Sequence, residues 1–433
     1  MRTQENTFDV DINDDFKLAL DLIDNHHNLY ITGNAGTGKS TFLKYFRENT
    51  EKNIAVLAPT GKAAINCGGQ TIHSFFAFPS ALLTEDKIHK HRNAGKFKAL
   101  DILVIDEVSM VRADLMDAID TSLRLNRNNW APFGGVQVIL FGDLAQLPPV
   151  VKDAEMRDFF EFIYESPYFF SASVFDQITF QILEFTKIYR QQDPEFINIL
   201  NKIRVGRYDD ESLEILNKRL LKINTKRGLK DVITLTTTIN QSNLINIEKL
   251  SKLKTKEKYY EAEITGKFPD DSLPSEQKLT LKVGAQVMML KNDSKKRWVN
   301  GTLARIKKLN PDEIIVEINK LDYKITREAW NNIEYVLDRI TGEFEEKIVG
   351  TFKQFPLRLA YAITIHKCQG MTLDKVLIDL STRAFASGQI YVALSRCKSL
   401  SGIHLRIPIQ PSDIYVDNRI QNIYSVFNLV TRP

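Results

Sequence analysis

The sequence predicts an α/β fold with mostly parallel sheets, interrupted by an antiparallel β-rich insertion. Apolar runs alternate with helix-like stretches in the first half, short strand-like pieces with turns follow within residues 251–349, and the alternation resumes from residue 357. Repeated βα units of this kind imply a mostly parallel sheet with helices on both faces. With 433 residues, the chain is long enough for roughly three domains.

The strands of the first half are expected at apolar runs that end in polar loops. These runs are NLYIT (28–32), IAVLA (54–58), ILVID (102–106) and VQVILFG (136–142). A helix-like pattern follows each loop, and helix-like stretches also occupy much of residues 176–250. Each run is therefore interpreted as the strand of a βα unit.

The pattern changes near residue 251. The charged stretch SKLKTKEKYYEAEITGK lacks long apolar runs and precedes the strand-like pieces KLTLKVGAQVMML, GTLARIKKL and DEIIVEI. Buried βα character returns with LRLAYAITIHKCQG, KVLIDL and GQIYVALSRC. The pattern predicts a second α/β domain that a small β domain interrupts.

Composition excludes several classes of protein. No apolar run approaches the ~20 residues that a membrane span needs, and the acidic N-terminus has no apolar signal-peptide core. The cysteines Cys67, Cys368 and Cys397 lie far apart, which argues against a disulfide framework or a zinc site and fits a reducing compartment. A net charge of +4 is too small to indicate nucleic acid by itself. We expect a cytoplasmic, nucleoid-associated protein.

Residues 33–40, GNAGTGKS, match the phosphate-binding pattern G-x-x-x-x-G-K-[ST] between a strand and a helix. Glycines let backbone N–H groups turn towards phosphate oxygens, and the helix N-terminus adds partial positive charge. Lys39 can reach the β- and γ-phosphates, and the Ser40 hydroxyl can bind Mg²⁺. The alternative is a glycine-rich turn without a nucleotide. The predicted nucleotide-binding residues of this loop are Gly33, Gly36, Thr37, Gly38, Lys39, Ser40 and Thr41.

The run ILVIDEVSM ends a predicted buried strand with two carboxylates. Asp106 can hold Mg²⁺, and Glu107 can polarise the attacking water. Phosphoryl transfer also needs positive charge from a second domain. The candidates are Arg190 in KIYRQ and Arg396 in ALSRC, although a single arginine is more often a surface or salt-bridge residue.

A rival motif, Asn319-Lys320-Leu321-Asp322, resembles the guanine-reading sequence of GTPases. In GTPases that motif belongs to the domain that carries the phosphate loop, whereas here it falls in the predicted β insertion. We therefore interpret Asp322 as a turn or solvated residue, and the predicted nucleotide is ATP rather than GTP.

Taken in order, the motifs resemble superfamily 1 helicases, and the resemblance is closest to the petite-integration-frequency (PIF) family, with RecD-type helicases as relatives. The segment EFINILNKIRVG (195–206) also resembles the signature stretch of that family. The motifs that carry the resemblance are GNAGTGKS (33–40), APTGKAA (58–64), TIHSFF (71–76), DEVSM (106–110), FGDLAQLPPV (141–150), YRQ (189–191), ITIHKCQGMTLDKV (363–376) and YVALSRC (391–397).

The resemblance implies roles for matching residues. Gln146 resembles the γ-phosphate sensor, with Asp143 its neighbour in the coupling element. Arg190 and Arg396 match two arginine fingers. Gln369 and Gly370 match a segment that contacts both nucleotide and strand. The implied catalytic residues are Lys39, Asp106, Glu107, Gln146, Arg190 and Arg396. The implied DNA-binding residues are Thr60, Lys62, His73, Ser74, Phe75, Thr364, His366 and Lys367.

The fold implied by the resemblance is two RecA-like P-loop domains with parallel sheets, a small wedge insertion in the first and an SH3-like β-rich insertion in the second. The predicted ranges are 1–178 for the first domain, with the wedge at about 75–98, 179–250 and 350–433 for the second, and 251–349 for the SH3-like insertion.

The activity implied is that of an ATP- and Mg²⁺-dependent helicase that moves 5′ to 3′ on single-stranded DNA. Tailed duplexes, forks, RNA–DNA hybrids and G-quadruplexes are the implied substrates, in replication, repair, recombination or genome maintenance. We expect the protein to be monomeric in solution. The alternatives are a DNA-stimulated translocase that does not unwind, and a nucleotide-gated binding module without turnover.

Three features depart from the family or allow two interpretations. The helical stretch DINDDFKLALDLI (11–23) lacks the adenine-reading glutamine of the family. Phe75 is predicted either to stack on a base or to pack in the core, and Phe76 to pack in the core. The aromatic run FFEFIYESPYFF (159–170) is interpreted as core packing rather than as a base-stacking platform.

Overall fold

The protein is described by a computed structural model covering residues 11–79, 81–151, 153–221, 232–338, 341–342 and 344–430. Two parallel sheets and a set of antiparallel sheets organise these residues, in agreement with the fold class that the sequence predicts.

The first region of the chain alternates strands and helices, as expected of βα units. Its strands are β1 (Leu29–Gly33), β2 (Ile54–Ala58), β3 (Gln70–Thr71), β4 (Ile102–Ile105), β5 (Gln137–Phe141) and β6 (Gln181–Phe185). Its helices are α1 (Asp14–Asp24), α2 (Lys39–Asn49), α3 (Gly61–Cys67), α4 (Ile72–Phe76), α5 (Gly95–Ala99), α6 (Ala113–Arg127) and α7 (Ala154–Ile163).

These strands form one parallel sheet in the order β6-β1-β5-β4-β2-β3. Strands β1, β4 and β5 are buried along their whole length, as central strands covered on both faces should be. Within β1, Leu29 and Ile31 join one hydrophobic cluster while Tyr30 joins the other. The two clusters are the two faces of the sheet, because successive side chains of a strand point to opposite sides. This sheet and its helices are called the first lobe.

The next elements are helix α8 (Pro194–Arg204), helix α9 (Asp210–Asn217), strand β7 (Ile233–Thr236) and helix α10 (Ile239–Ser251). Helix α8 begins where the Asp193 carboxylate accepts hydrogen bonds from the N–H groups of Glu195 and Phe196, with Pro194 at the first helical position. Its buried residues, Phe196, Ile199, Leu200 and Ile203, recur at the spacing of one helix face.

The insertion is antiparallel. Its strands are β8 (Lys258–Glu261), β9 (Glu263–Gly266), β10 (Lys278–Leu281), β11 (Gln286–Met289), β12 (Leu303–Leu309), β13 (Ile314–Ile318), β14 (Leu321–Ile325), β15 (Glu328–Leu337), β16 (Phe344–Gln354) and β17 (Leu357–Leu359). They pair in the orders β14-β13-β12-β11-β17, β15-β16-β9 and β10-β8. The long hairpin of β15 and β16 is called the ribbon.

The chain then returns to parallel strands with β18 (Ala362–Thr364), β19 (Val376–Asp379), α11 (Gln389–Ser395), β20 (Ile403–Leu405), α12 (Ile423–Val426) and β21 (Asn428–Leu429). The second parallel sheet has the order β18-β7-β19-β20. This sheet, with α8 to α11, is called the second lobe. Strand β21 instead pairs with β6 at the edge of the first sheet.

The strand pairing bears on the domain ranges, which remain a proposal. Strand β6 lies beyond the predicted boundary at residue 178, yet it pairs with β1 in the first sheet. The antiparallel pairing likewise continues past residue 349 to β17. These pairings favour a first boundary after Phe185 and a return to the second lobe after Leu359.

No helix among the described residues is long and apolar enough to span a membrane.

Candidate active site

A cleft of about 1100 Å³ opens between the two lobes. The first lobe lines it with the loop from Ala35 to Thr41 and with Asp106, Glu107, Asp143 and Gln146. Later parts of the chain contribute Arg190, Gly370, Thr372, Arg396 and Lys398. Residues that the sequence places more than 300 positions apart are thus brought to one cavity.

The phosphate loop between β1 and α2 depends on glycine at defined positions. Gly36 and Gly38 both have φ of +90°, a region that L side chains rarely adopt. A Cβ atom on Gly36 would also lie 2.5 Å from the Cβ of Arg190. Glycine at position 36 therefore serves two purposes, because it permits the turn and lets the candidate arginine finger approach the loop.

Lys39 lies at the centre of this loop. Its Nζ donates hydrogen bonds to the carbonyl oxygens of Gly33 at 2.6 Å and Asn34 at 3.0 Å. Burial lowers the pKa of Lys39 to about 8, although the Asp143 carboxylate opposes that shift. A triphosphate in the cleft would supply the anionic charge that favours the protonated amine.

The two predicted carboxylates follow β4. Burial and the neighbouring Glu107 carboxylate raise the pKa of Asp106 to about 7. Burial also raises the pKa of Glu107, while the charges of Arg396 and Lys39 oppose the rise. Glu107 has a positive φ of 51°, a sparsely populated conformation for a residue with a side chain. Such strain is found where the surroundings hold a functional side chain in place.

Arg190 and Arg396 face the same cleft as Lys39, which is the arrangement the sequence predicts. Arg190 donates from Nη1 to the carbonyl of Ser395 at 3.2 Å. Burial and the nearby Arg396 guanidinium lower the pKa of Arg190 to about 9. Arg396 is 2% exposed, and its Nε donates to the carbonyl of Val392. A half-buried and a buried guanidinium group close to each other fit an anion between them.

A chain of polar side chains links the lobes across the cleft. Gln369 donates from Nε2 to Glu107 Oε2 at 3.2 Å and to Gln146 Oε1 at 3.3 Å, and Gln146 donates to Asp143. Arg204, on α8, bonds to the Asp143 carboxylate at 3.2 Å. Burial alone would raise the pKa of Asp143, but Arg204 and Lys39 outweigh it and hold that pKa low.

Further contacts between the lobes were not assigned from the sequence. The Tyr391 hydroxyl accepts a hydrogen bond from the backbone N–H of Ala35 at 3.0 Å. The Asn34 amide donates to Asn201 Oδ1 at 2.8 Å. Tyr391 and Arg204 lie inside two of the segments that resemble the family, 391–397 and 195–206. The sequence therefore indicated these segments, but it did not indicate which residues they would contact.

Asp11, Phe16 and Tyr189 also line the cleft. The Tyr189 hydroxyl donates to Asp11 at 3.1 Å and accepts from the Asn13 amide at 2.9 Å. Where the family glutamine is missing, the chain therefore presents the Phe16 ring from α1 and the Asp11 carboxylate from the segment before α1 to the cleft.

The predicted DNA-binding residues fall into two groups. Lys62 Nζ donates to the backbone carbonyl of Lys367 at 2.5 Å, and the Lys367 N–H donates to Thr364 Oγ1 at 3.2 Å. These residues join the two lobes on one face. Thr60 caps α3 by accepting from the N–H of Ala63.

The predicted residues on α4 do not share one environment. Ser74 is exposed, its hydroxyl accepts from the Gln70 amide, and His73 is half-buried. Phe75 is fully buried, with its ring 5.0 Å from Phe76 and 5.4 Å from Phe97. The assignment of Phe75 as a base-stacking residue is therefore corrected to core packing, as predicted for Phe76, because no face of its ring is open to a strand.

The structure also bears on the GTPase-like motif at residues 319–322 and on the aromatic run at residues 159–170. Asn319 and Lys320, both with positive φ, form the turn between β13 and β14, and Asp322 is exposed. In the aromatic run 159–170, Phe160, Tyr168, Phe169 and Phe170 are buried, which matches the prediction of core packing. Phe162 is an exception at 89% exposed.

Two parallel sheets that share one phosphate-binding cleft are the architecture of P-loop motor NTPases, and this fold belongs to that class. The family described as PIF1-like helicase matches residues 11–214, and the family described as DNA helicase Pif1, 2B domain, matches residues 270–309. The chain is 32% identical to the ATP-dependent DNA helicase Pif1 of Bdellovibrio bacteriovorus, covering 97% of this chain and 93% of that protein.

Solved structures agree with this assignment. The crystal structure of Bacteroides sp Pif1 in complex with ADP-AlF4 matches with a TM-score of 0.89 at 39% identity, covering 96% of this chain and 98% of that chain. The structure of Bacteroides Pif1 bound to ssDNA matches with a TM-score of 0.70 at the same identity, covering 96% and 97%. The chain belongs to the PIF1-like helicase family and is an ATP-dependent DNA helicase.

Proposed function

We propose that the protein moves 5′ to 3′ along single-stranded DNA and separates duplexes, using ATP hydrolysis in the cleft between its lobes. The observation that carries this proposal is that Arg190 and Arg396 line the same cavity as Lys39. An arginine that reaches the phosphates only when two lobes close ties hydrolysis to lobe movement.

The proposed roles follow from the contacts in the cleft. Lys39 and the loop N–H groups bind the triphosphate, and Glu107 orients the attacking water and takes its proton. Arg190 and Arg396 stabilise the charge that develops on the transferred phosphoryl group. Loss of the γ-phosphate removes the anion that draws Arg190 and Arg396 towards Lys39 of the first lobe, so the lobes separate.

We propose that Gln146 and Gln369 carry the state of the nucleotide to the strand. Gln146 bonds to Asp143, and Gln369 bonds to Glu107 and Gln146, so a change at the γ-phosphate alters one connected set of hydrogen bonds. Gln369 lies two residues beyond Lys367, which belongs to the proposed DNA-binding face.

Mg²⁺ fits the residues proposed to hold it. Ser40 and Asp106 both line the cleft, and they offer the oxygen ligands that Mg²⁺ prefers. The pKa of Asp106, raised to about 7 by burial and by Glu107, shows a carboxylate pair that a divalent cation would stabilise. When bound, the ion neutralises charge on the β- and γ-phosphates.

DNA binding is proposed for the face where Lys62 and Lys367 meet. Lysines and hydroxyl groups contact phosphates without reading bases, as a motor that must pass any sequence requires. The ssDNA complex of the Bacteroides relative supports the choice of ligand. Since that complex fits this chain less well than the ADP-AlF4 complex does, we infer that the domains rearrange when a strand binds.

The test is the ATPase rate with and without single-stranded oligonucleotides, followed by strand displacement on 5′-tailed and 3′-tailed duplexes. We expect DNA to stimulate turnover and only the 5′-tailed duplex to be separated. An ATPase rate that DNA leaves unchanged overturns the proposal. Stimulation without displacement of either duplex instead identifies a translocase that does not unwind.

The same assay extends to forks, RNA–DNA hybrids and G-quadruplexes, which we propose as further substrates on the strength of the family. A role in replication, repair or recombination and a monomeric state remain proposals of the same kind. Sedimentation with and without a forked duplex tests the monomer, because a second copy on the fork would appear as a heavier species.

A further inference from the structure

Two aromatic rings lie beside the phosphate loop. A Cβ atom added to Gly38 would lie 3.4 Å from the ring of Phe16 and 3.6 Å from the ring of Tyr189. Both residues line the cleft, and they are the aromatic residues among the described ones that line it. A base attached to a triphosphate in this loop enters the same cleft, so these rings are the surface on which it can stack.

The two rings are held in different ways. Phe16 is 2% exposed and packs edge-on against Phe42, with ring centroids 5.0 Å apart, so it forms a fixed wall. Tyr189 is 43% exposed, and its backbone N–H donates to the Gly36 carbonyl at 2.9 Å. The Lys187 ammonium lies 5.2 Å from the centroid of the Tyr189 ring. An exposed ring that is tied to the phosphate loop is suited to stack on a base.

The polar groups around these rings are engaged with one another. The Tyr189 hydroxyl donates to the Asp11 carboxylate, which also accepts from Lys187 Nζ at 2.6 Å. The Asn13 amide donates to the Tyr189 hydroxyl, and its Oδ1 accepts from the N–H of Phe16. An amide reads adenine by pairing with the N6 and N7 atoms of the base together. The Asn13 amide is already bonded through both its nitrogen and its oxygen, so it does not present that pair to a base.

The carboxylate that lines the cleft does not distinguish the bases. Hydrogen bonds from Lys187 and Tyr189 lower the pKa of Asp11, so this side chain is ionised and can only accept hydrogen bonds. Each base has an N–H on its pairing edge: adenine and cytosine have an amino group, and guanine and uracil have a ring N–H. A single acceptor suits all of them, whereas telling adenine from guanine needs a donor and an acceptor in fixed positions.

We propose that the cleft holds the base by ring contact and does not read its edge, so that the motor hydrolyses GTP, CTP and UTP as well as ATP. The inference rests on the hydrolysis proposed for this cleft and widens its substrate to nucleoside triphosphates as a class. In each case water attacks the γ-phosphorus, the bond to the β,γ-bridging oxygen breaks, and the products are the nucleoside diphosphate, inorganic phosphate and a proton. Lys39, Arg190 and Arg396 act on the triphosphate, which all four nucleotides share. Stacking accepts every base, because each has a π face.

The first experiment measures kcat/KM of the unaltered protein for the four nucleoside triphosphates in the presence of single-stranded DNA. We expect the values for GTP, CTP and UTP to lie within about tenfold of the value for ATP, because the bases then differ only in the strength of stacking. A site that reads a substrate by hydrogen bonds rejects the wrong one by about 10⁴-fold or more. A preference for ATP larger than tenfold overturns the proposal.

The second experiment removes the exposed ring with Tyr189→Leu and uses Tyr189→Phe, which keeps the ring, as the matched control. We expect Tyr189→Leu to raise KM about tenfold for all four nucleotides while kcat changes little, and Tyr189→Phe to retain the KM values of the unaltered protein. Inorganic tripolyphosphate has no base, so its inhibition constant should be the same in all three proteins. An unchanged KM, or an equal weakening of tripolyphosphate, overturns the contact between ring and base.

A third variant tests the remaining route to base selection. Gln192 is an exposed residue with an amide side chain, and it also lines the cleft. We expect Gln192→Ala to leave the ratios of kcat/KM among the four nucleotides unchanged. If this variant lowers kcat/KM for ATP alone, the Gln192 amide reads adenine and the proposal is overturned. Thermal melting of each variant establishes that the fold is retained.

Failure of this inference can be told apart from failure of the motor. If the unaltered protein hydrolyses no nucleotide, or if DNA leaves the rate unchanged, the proposed function fails. If DNA stimulates the hydrolysis of ATP and the other three nucleotides are not hydrolysed, the motor stands and only the broad base selectivity is overturned.

Discussion

The first lobe meets the rest of the chain across two interfaces of opposite character. In the cleft, Arg190 approaches Arg396 and Asp106 adjoins Glu107, so like charges face each other and burial shifts their pKa values. The ribbon interface is formed by residues of the first lobe and of the ribbon, namely Arg47, Asn53 and Phe75 with Tyr335, Phe344 and Glu346. Its polar groups are paired with each other. Arg47 forms an ion pair with Glu346 at 2.5 Å.

Other polar groups at the ribbon interface also have hydrogen-bond partners. Asn53 accepts from the N–H of Phe344 at 3.0 Å and donates to the carbonyl of Gly342 at 3.2 Å. The Tyr335 hydroxyl accepts from the N–H of Val56 at 3.2 Å, and its ring lies 6.0 Å from that of Phe75. The difference teaches that a binding cleft can place like charges side by side for a ligand to neutralise, whereas a structural interface supplies the opposite charges and hydrogen-bond partners itself.

The largest expected effect is on ATP turnover, and it follows from removing an arginine of the cleft. Arg396→Ala should lower turnover by about 10³-fold or more, because the transition-state charge loses its neutralising group, while binding of an ATP analogue changes little. Steady-state ATPase and analogue titration measure the two quantities. Arg297→Ala, on the insertion and paired with Asp293, is the matched control and should behave like the unaltered protein. Equal losses of turnover and binding would show a ground-state or structural role for Arg396.

The next largest effect is on stability, and it follows from removing a buried ring of the ribbon interface. Phe75→Ala should reduce the free energy of unfolding by about 3–5 kcal/mol, since it removes a fully buried ring from the aromatic cluster. Denaturant titration measures the loss. Phe162→Ala, which removes an exposed ring, should stay within about 0.5 kcal/mol. A similar small cost for Phe75→Ala would contradict its place in the core and reopen base stacking.

A smaller effect concerns pH at the proposed DNA-binding face, where Lys62 and Lys367 meet. Burial, and then the charge of Arg358, lower the pKa of Lys62 to about 8 in the DNA-free protein. A bound phosphate favours the protonated amine, so binding takes up a proton above pH 8 and affinity should fall as pH rises through 8. The fall is at most about tenfold per pH unit for one proton. Anisotropy titrations from pH 7 to 9.5 should show this slope for the unaltered protein and a flatter profile for Lys62→Met; equal slopes would exclude Lys62 as its origin.

The smallest expected effect concerns the ion pair of the ribbon interface and refines the comparison of that interface with the cleft. Arg47→Met removes the partly exposed pair with Glu346 and should cost less than about 1 kcal/mol of stability. If the domains rearrange when DNA binds, loosening this interface should also raise affinity for single-stranded oligonucleotides slightly. Urea unfolding and anisotropy measure both quantities. A large loss of stability would show that Arg47 supports the fold rather than this one contact.

Sequence patterns predicted the parts of the molecule that depend on neighbours along the chain. The strand at 102–106 with Asp106 and Glu107, and the loop containing Lys39, follow from local apolar runs and glycine spacing. Asp322 was predicted to be a turn or solvated residue, and it is exposed, in the first positions of β14 directly after the turn. Such features depend on backbone conformation and burial within a single βα or ββ unit.

Other features could not be predicted because they require distant segments to meet. The pairing of β6 with β1 moved the first proposed boundary, and β21 joins the same sheet beside β6. Nothing local to β6 or β21 indicates its partner. Phe75 and Phe385 are the same type of residue, yet one is fully buried and the other is 64% exposed. An aromatic side chain suits both a core and a stacking surface, and only its packing distinguishes the two.

The amino-acid sequence alone determined the α/β class, the phosphate loop and the acidic pair, because each is encoded by contiguous residues whose chemistry is nearly independent of context. The tertiary structure decided which arginines face the loop, that Arg204 and Tyr391 join the lobes, and which aromatic ring remains open to solvent. Those properties arise from the packing of one lobe against another, where distances of a few ångströms set charge, burial and access together.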